Sequence, residues 1–160
     1  MFNTEIIFAG GEKESYYKDA ANEYIKRLGA YCTFTEKCIK DERLSDNPSD
    51  KEIAAALDKE GEKISAAIAP RNYKIAMCIE GKQLSSQELA ELFGKLQGEG
   101  YPGVSFVIGS SCGLSEKVKG ACNLRLSMSK MTFPHRLARV MLLEQIYRAF
   151  SIAGGGKYHK

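Results

Sequence analysis

The sequence predicts an α/β fold on a largely parallel sheet, with helices on both faces. Three observations carry that prediction. Short apolar runs alternate along the chain with segments of helical periodicity, the pattern of repeated parallel βαβ units. The runs "IAMCI" (75–79) and "SFVIG" (105–109) are apolar nearly throughout instead of alternating, as strands covered on both faces are. No repeat, low-complexity tract or convincing linker divides the 160 residues, and that length suffices for one domain, 1–160, with a real core.

The elements follow in order. "EIIFA" (5–9) reads as the first strand, turning at Gly10 and Gly11, and 13–28 as the first helix. "YCTFTEKCI" (31–39) is the second strand, and the polar loop 40–52 leads into a helix over 50–68 with Asp50 as its expected N-cap. "YKIAMCIE" (73–80) is the third strand. Ser85 heads "SSQE", with Glu88 three residues on, a capping-box pattern opening a helix over 86–97. "GVSFVIG" (103–109), a short helix over 115–121 and "NLRLSM" (123–128) come next. Pro134 suits position N1 of the last helix, where no N–H donor is needed.

On that last helix Leu137, Ala138, Val140, Met141, Leu142, Leu143, Ile146, Tyr147, Ala149, Phe150 and Ile152 point in nearly every direction. A helix apolar all round is buried all round. One sheet in so small a domain does not cover it, so a two-fold homodimer is expected, with a central helix inside one chain as the alternative.

Composition bounds the function. Apolar content of 44% and charged content of 27% are those of a soluble globular chain. No apolar run reaches the roughly 18–20 residues of a membrane span. The N-terminus lacks a basic start and a long apolar centre, so a signal peptide is not expected and a cytoplasmic location is. Five cysteines, an odd number at irregular spacing, point to reduced thiols. With no Cys-x-x-Cys pair, and His135 and His159 away from ligand spacing, no metal site is expected. Residues 115–160 hold nine Lys and Arg against two acids, or +7, leaving −4 on the first 114 residues. That asymmetry points to an anionic partner near the C-terminal third.

In open α/β sheets ligands sit beyond the carboxyl ends of the strands. Three such ends are rich in glycine or hydroxyl residues: "MCIEG" (77–81), "IGSSCGLS" (108–115) and "SMSKMTFP" (127–134). None is a dinucleotide fingerprint or a P-loop. Cys112 has no neighbouring histidine in sequence to activate it as a nucleophile. His135 opens the last helix, where the helix dipole favours a neutral imidazole; it suits a base, a hydrogen-bond partner or a plain cap. The tail "GGGKYHK" (154–160) ends in side chains that stack on or hydrogen-bond to an unpaired base, and its glycines favour fraying.

"FVIGSSCGLS", "LSMSKMTFPHRLARVMLLEQIYRAF" and the terminal "YHK" resemble the RlmH (YbeA-type) methyltransferases of the SPOUT superfamily, and the resemblance runs the length of the chain. It implies a SPOUT-type α/β domain whose C-terminal part, about 103–160, threads as a trefoil knot, although knots are rare. It implies S-adenosyl-L-methionine as methyl donor and an obligate homodimer. The acceptor it implies is the N3 nitrogen of a pseudouridine in 23S, large-subunit ribosomal RNA on the assembled ribosome. By position the donor site includes Met77, Gly109, Ser129, Lys130, Met131, Thr132, Phe133 and Pro134. The tail Tyr158, His159 and Lys160 matches a terminal motif linked to the active site. Ser110 stands where the family usually has glycine, and a side chain there is expected to narrow the donor pocket. Lys157 stands where it usually has proline.

Methyl transfer to a ring nitrogen must release an imide proton. His135 or His159 is the candidate base or relay, Arg139 and Lys160 the cations that offset developing charge, and Tyr158 an orienting group. Two other readings stay open at this stage: a non-catalytic ribosome-binding module of the same fold, and a dinucleotide oxidoreductase, against which the missing glycine fingerprint weighs.

Overall fold

The computed structural model describes residues 1–11 and 14–160. Five strands, β1 (Asn3–Ala9), β2 (Thr33–Ile39), β3 (Tyr73–Gln83), β4 (Gly103–Ile108) and β5 (Leu124–Ser127), form one sheet in the order β2-β1-β4-β3-β5. Every neighbouring pair is parallel. The helices are α1 (Ser15–Leu28), α2 (Asp50–Ala67), α3 (Ser86–Gly98), α4 (Glu116–Ala121) and α5 (His135–Ala153).

Each expected strand is present. The second begins two residues late because Tyr31 and Cys32 close the turn after α1, their N–H groups donating to the Leu28 carbonyl. The helix expected from 13 begins at Ser15, and Lys13 lies outside the described residues. Two cap assignments are corrected. The N-cap of α2 is Ser49, not Asp50: Ser49 Oγ accepts from Glu52 N–H and the Glu52 carboxylate accepts from Ser49 N–H. Asp50 instead sits in the first turn, where an acid complements the helix dipole. Pro134 is the N-cap of α5, with ψ at 138°, so the helix starts one residue later, at His135. The capping box of Ser85 and Glu88 on α3 is formed as expected.

Alternation along the strands splits the core into two layers. Ile6 and Phe8 of β1, Ile75 of β3 and Phe106 and Ile108 of β4 face α1, α3 and α5, where Leu28, Phe93, Leu143, Ile146 and Phe150 meet them. Ile7, Ala9, Ala76 and Val107 face the other way, onto Ile64 of α2 and Val118 of α4. β4 is buried at all six positions. Phe93 anchors the first layer with Phe2, Phe106 and Phe150 at ring-centroid distances of 6.2, 6.2 and 5.1 Å. Burying the central strands on both faces removes apolar area from water at about 25 cal/mol per Å².

α5 packs against α1 and α3. Leu142, Leu143, Ile146, Ala149 and Phe150 are buried there, whereas Val140, Met141, Tyr147 and Ile152 are only half-buried within one chain. The single chain therefore covers one side of a helix that is apolar on both.

Candidate functional site

The bulged middle of β3 and the carboxyl ends of β4 and β5 open onto one cavity of about 820 Å³. At β3 the pairing with β5 jumps from Met77 to Lys82, so residues 78–81 leave the ladder, and Cys78, Ile79 and Glu80 wall one side. At β4 the chain turns tightly through 109–113. The Gly113 N–H donates to the Ser110 carbonyl across 2.8 Å, and Gly113 has a φ of +84°. A Cβ on Gly109 would lie 2.3 Å from the Gly113 carbonyl oxygen, so only glycine closes this turn. The loop after β5 forms the third wall, held by Ser127 Oγ donating to the Ser129 carbonyl and Met131 N–H donating to Ser129 Oγ.

Of the donor-site residues expected from the sequence, Met77, Gly109, Ser129, Met131, Thr132, Phe133 and Pro134 line this cavity together, and His135 joins them. Lys130 is exposed and is not among the lining residues. The floor is apolar, with Ile108, Leu126 and Leu142; the rim carries exposed Ile79 and Met131. Three charged side chains missed by sequence reasoning also line it: Glu80, Lys119 and Arg136. Lys119 Nζ donates to Glu80 Oε1 at 2.5 Å, and that bond holds the Glu80 carboxyl below its ordinary range. No sequence spacing joins residues 39 apart. Arg136 was signalled by its place beside His135; its Nε donates to the Gly11 carbonyl across 2.5 Å.

The His135 ring lies 5.5 Å from Phe8, centroid to centroid, beneath the β1–α1 turn. Its Nε2 is buried without a hydrogen-bond partner among the described residues. A Cβ on Gly10, whose φ is +104°, would come within 2.8 Å of that nitrogen, so glycine there lets the ring in. Burial lowers the imidazole pKa from its ordinary value, and the neighbouring Arg136 charge adds to this, against Asp41 and Glu14. The ring is therefore held neutral.

The other expected catalytic residues lie elsewhere. Arg139 is 4% exposed and grips Glu36 of β2 through two bonds, Nε to Oε2 at 2.6 Å and Nη2 to Oε1 at 2.5 Å. Its guanidinium also lies over the Phe8 ring. Its charge is answered inside the fold rather than presented to the cavity. Tyr158 and His159 fold back on α5, away from their own chain's cavity. Tyr158 packs edge-on against Tyr147, its hydroxyl donates to Glu144 Oε1, and Arg148 lies over its ring. Arg148 Nη1 is 3.2 Å from His159 Nδ1. Burial, with hydrogen bonds to Tyr24 and Glu144, pushes the Tyr158 phenol up to about 12, so it stays protonated. Lys160 is exposed at the end of the chain. The tail expected to fray is thus docked at Tyr158.

Among the described residues, no group of three or more His, Cys, Asp or Glu is placed to hold a metal ion, and no helix is long and apolar enough to cross a membrane.

Residues 2–159 match the family model described as "Predicted SPOUT methyltransferase". The chain is 49% identical over 158 residues, 99% of each chain, to a Clostridium novyi protein named "Ribosomal RNA large subunit methyltransferase H". It is 47% identical over 156 residues, 98% of each chain, to a Streptococcus thermophilus protein of the same name. Among solved structures it superimposes on a protein from Bordetella pertussis Tohama I described as a probable methyltransferase, with a TM-score of 0.58 and 18% identity over 93% of this chain and 96% of that one. A Legionella pneumophila protein solved in complex with the bound cofactor SAM gives a TM-score of 0.51 and 14% identity over 92% of this chain and 66% of that one.

Proposed function

The chain belongs to the SPOUT methyltransferase family, and from that premise we propose that it transfers a methyl group from S-adenosyl-L-methionine to N3 of a pseudouridine in large-subunit (23S) ribosomal RNA on the assembled ribosome. In this reading residues 1–160 are one SPOUT domain, 103–160 thread as a trefoil knot, and the protein works as a cytoplasmic homodimer. The observation that carries the reading is the meeting of Met77 on β3, Gly109 after β4 and the loop 129–134 after β5 around one cavity. The near full-length identity to the two relatives above supports the ribosomal RNA substrate.

The cavity fits the donor. Its volume of about 820 Å³ lies within the range of small-molecule sites, roughly 300–1,000 Å³. Ile108, Leu126 and Leu142 offer apolar area to a purine, and the backbone of 109–113 with the hydroxyls of Ser129 and Thr132 offers polar partners. When bound, S-adenosylmethionine supplies an electrophilic methyl carbon on a sulfonium. The chain's own residues do the rest. The glycine turn and Met77 bind and orient. Phe133 and Pro134 exclude water. His135, the histidine on the cavity and held neutral by burial, takes the imide proton at a ring nitrogen. Tyr158 and His159, docked away from their own cavity, and the exposed Lys160 serve the partner chain's site. Much of the rate comes from positioning.

The test is methyl transfer from radiolabelled donor to intact ribosomes from a strain lacking this protein, followed by nucleoside analysis. Label in N3-methylpseudouridine is expected. Absent transfer, with no calorimetric heat on titrating the donor, would leave a ribosome-binding module instead.

A further inference from the structure

Glu60, on α2, is 3% exposed and has no part in the chemistry above. Its two oxygens are answered from distant parts of the chain. Ser110 Oγ donates to Oε1 across 2.8 Å, and the backbone N–H of Glu42 donates to Oε2 across 2.8 Å. Ser110 belongs to the tight turn after β4, lines the cavity and is 7% exposed. Its carbonyl accepts the Gly113 N–H that closes that turn. The next residue of α2, Gly61, sits hard against the start of α4: a Cβ there would come within 3.0 Å of Val118 and 3.1 Å of Ser115 Oγ. α2 is therefore the back wall of the turn, and the Glu60 carboxylate is a polar tie between them. Lys63, one turn on, holds the Glu42 side chain at 2.9 Å, so the loop after β2 shares the same anchor.

A buried carboxylate is costly unless its oxygens find donors. Glu60 thus draws the Ser110 hydroxyl onto α2, and the turn follows. The side chain expected to narrow the donor pocket is engaged with the wall behind it. We propose that Glu60 is a positioning residue for the donor site, holding the 109–113 turn in its ligand-ready shape through the hydroxyl of Ser110. The proposal rests on the reading of this cavity as the S-adenosylmethionine site.

Two measurements test it: calorimetric titration with S-adenosylmethionine, and amide hydrogen exchange at Gly113 without ligand. Ser110→Ala should bind the donor roughly tenfold more weakly, the scale of one hydrogen bond to a charged group. Its Gly113 amide should exchange about tenfold faster, with exchange in α3 unchanged. Glu60→Gln should stay close to wild type, because its carbonyl still accepts from Glu42 N–H while its amide donates to Ser110 Oγ. Glu60→Ala, which also frees the Glu42 N–H, should bind the donor at least as weakly as Ser110→Ala, and the double variant should be no weaker than Glu60→Ala, since the bond to Ser110 is removed once. Wild-type affinity in Ser110→Ala, or losses that add in the double variant, overturns the proposal. Should the wild-type protein give no heat with the donor, the donor reading falls; unchanged Gly113 exchange in Ser110→Ala then overturns the tie between Glu60 and the turn by itself.

Discussion

His135 owes its chemistry to what surrounds its ring more than to its place at a helix start. Phe8 beneath, the Gly10 turn above and Arg136 beside it all disfavour the imidazolium. The sign follows directly. A depressed pKa in the folded state means the neutral ring contributes stability above the ordinary value of 6.5, and that contribution is lost as pH falls through the lower folded value. If the same ring is the base, the acid limb of the pH–rate profile lies below 6.5, and His135→Asn removes that limb along with most of the rate. A limb that persists unchanged in His135→Asn would assign the base elsewhere. Arg139 teaches the opposite lesson. It shares a helix face with His135, and sequence reasoning offered it to the reaction; in the fold it is spent on Glu36. Arg139→Ala should cost about 3 kcal/mol of stability by leaving a carboxylate poorly answered, read as a lowered denaturant midpoint. A midpoint unmoved, with turnover lost, would return Arg139 to the catalytic list.

Among the elements, the β3 excursion at 78–81 and the docked tail show how irregular pieces build the site. A plain strand would have carried Cys78 to Gly81 along the ladder with β5; the register jump instead makes Cys78, Ile79 and Glu80 a wall. β-bulges of this kind are common beside functional sites. The tail is anchored by Tyr147, Glu144 and Arg148, all on α5, although three glycines precede it. Deleting residues 157–160 should abolish turnover while leaving donor affinity within about twofold of wild type, as single-turnover kinetics and calorimetry would show. Unchanged turnover would remove the tail from the mechanism. The tail residues were legible as a candidate group from their chemistry. Their docking was not, because it depends on aromatic contacts with a helix face whose burial pattern alone does not name its occupants.

Across the whole molecule, the parallel sheet sets the site by bringing the β3 bulge and the ends of β4 and β5 together, and α5 closes it while leaving part of its own apolar surface half-covered. Val140, Met141, Tyr147 and Ile152 are its half-buried apolar positions. If the proposed homodimer uses that surface, Val140→Asp should split it, seen by sedimentation at micromolar concentration, and abolish methylation with it. Wild-type protein that sediments as a single chain yet still methylates its target would end the dimer reading.

By itself the sequence determined the α/β class, all five strands to within a few residues, the capping box of α3 and the three segments that converge on the cavity. Those are written locally, in apolar periodicity, cap spacing and glycine placement. Tertiary structure alone decided that Arg139 answers Glu36, that Glu80 meets Lys119, that Glu60 holds Ser110 and that Gly10 shelters His135. Each of these joins residues from 39 to 125 positions apart. Periodicity records that a position is buried or polar; which distant partner satisfies it is settled only when the sheet order brings the two together.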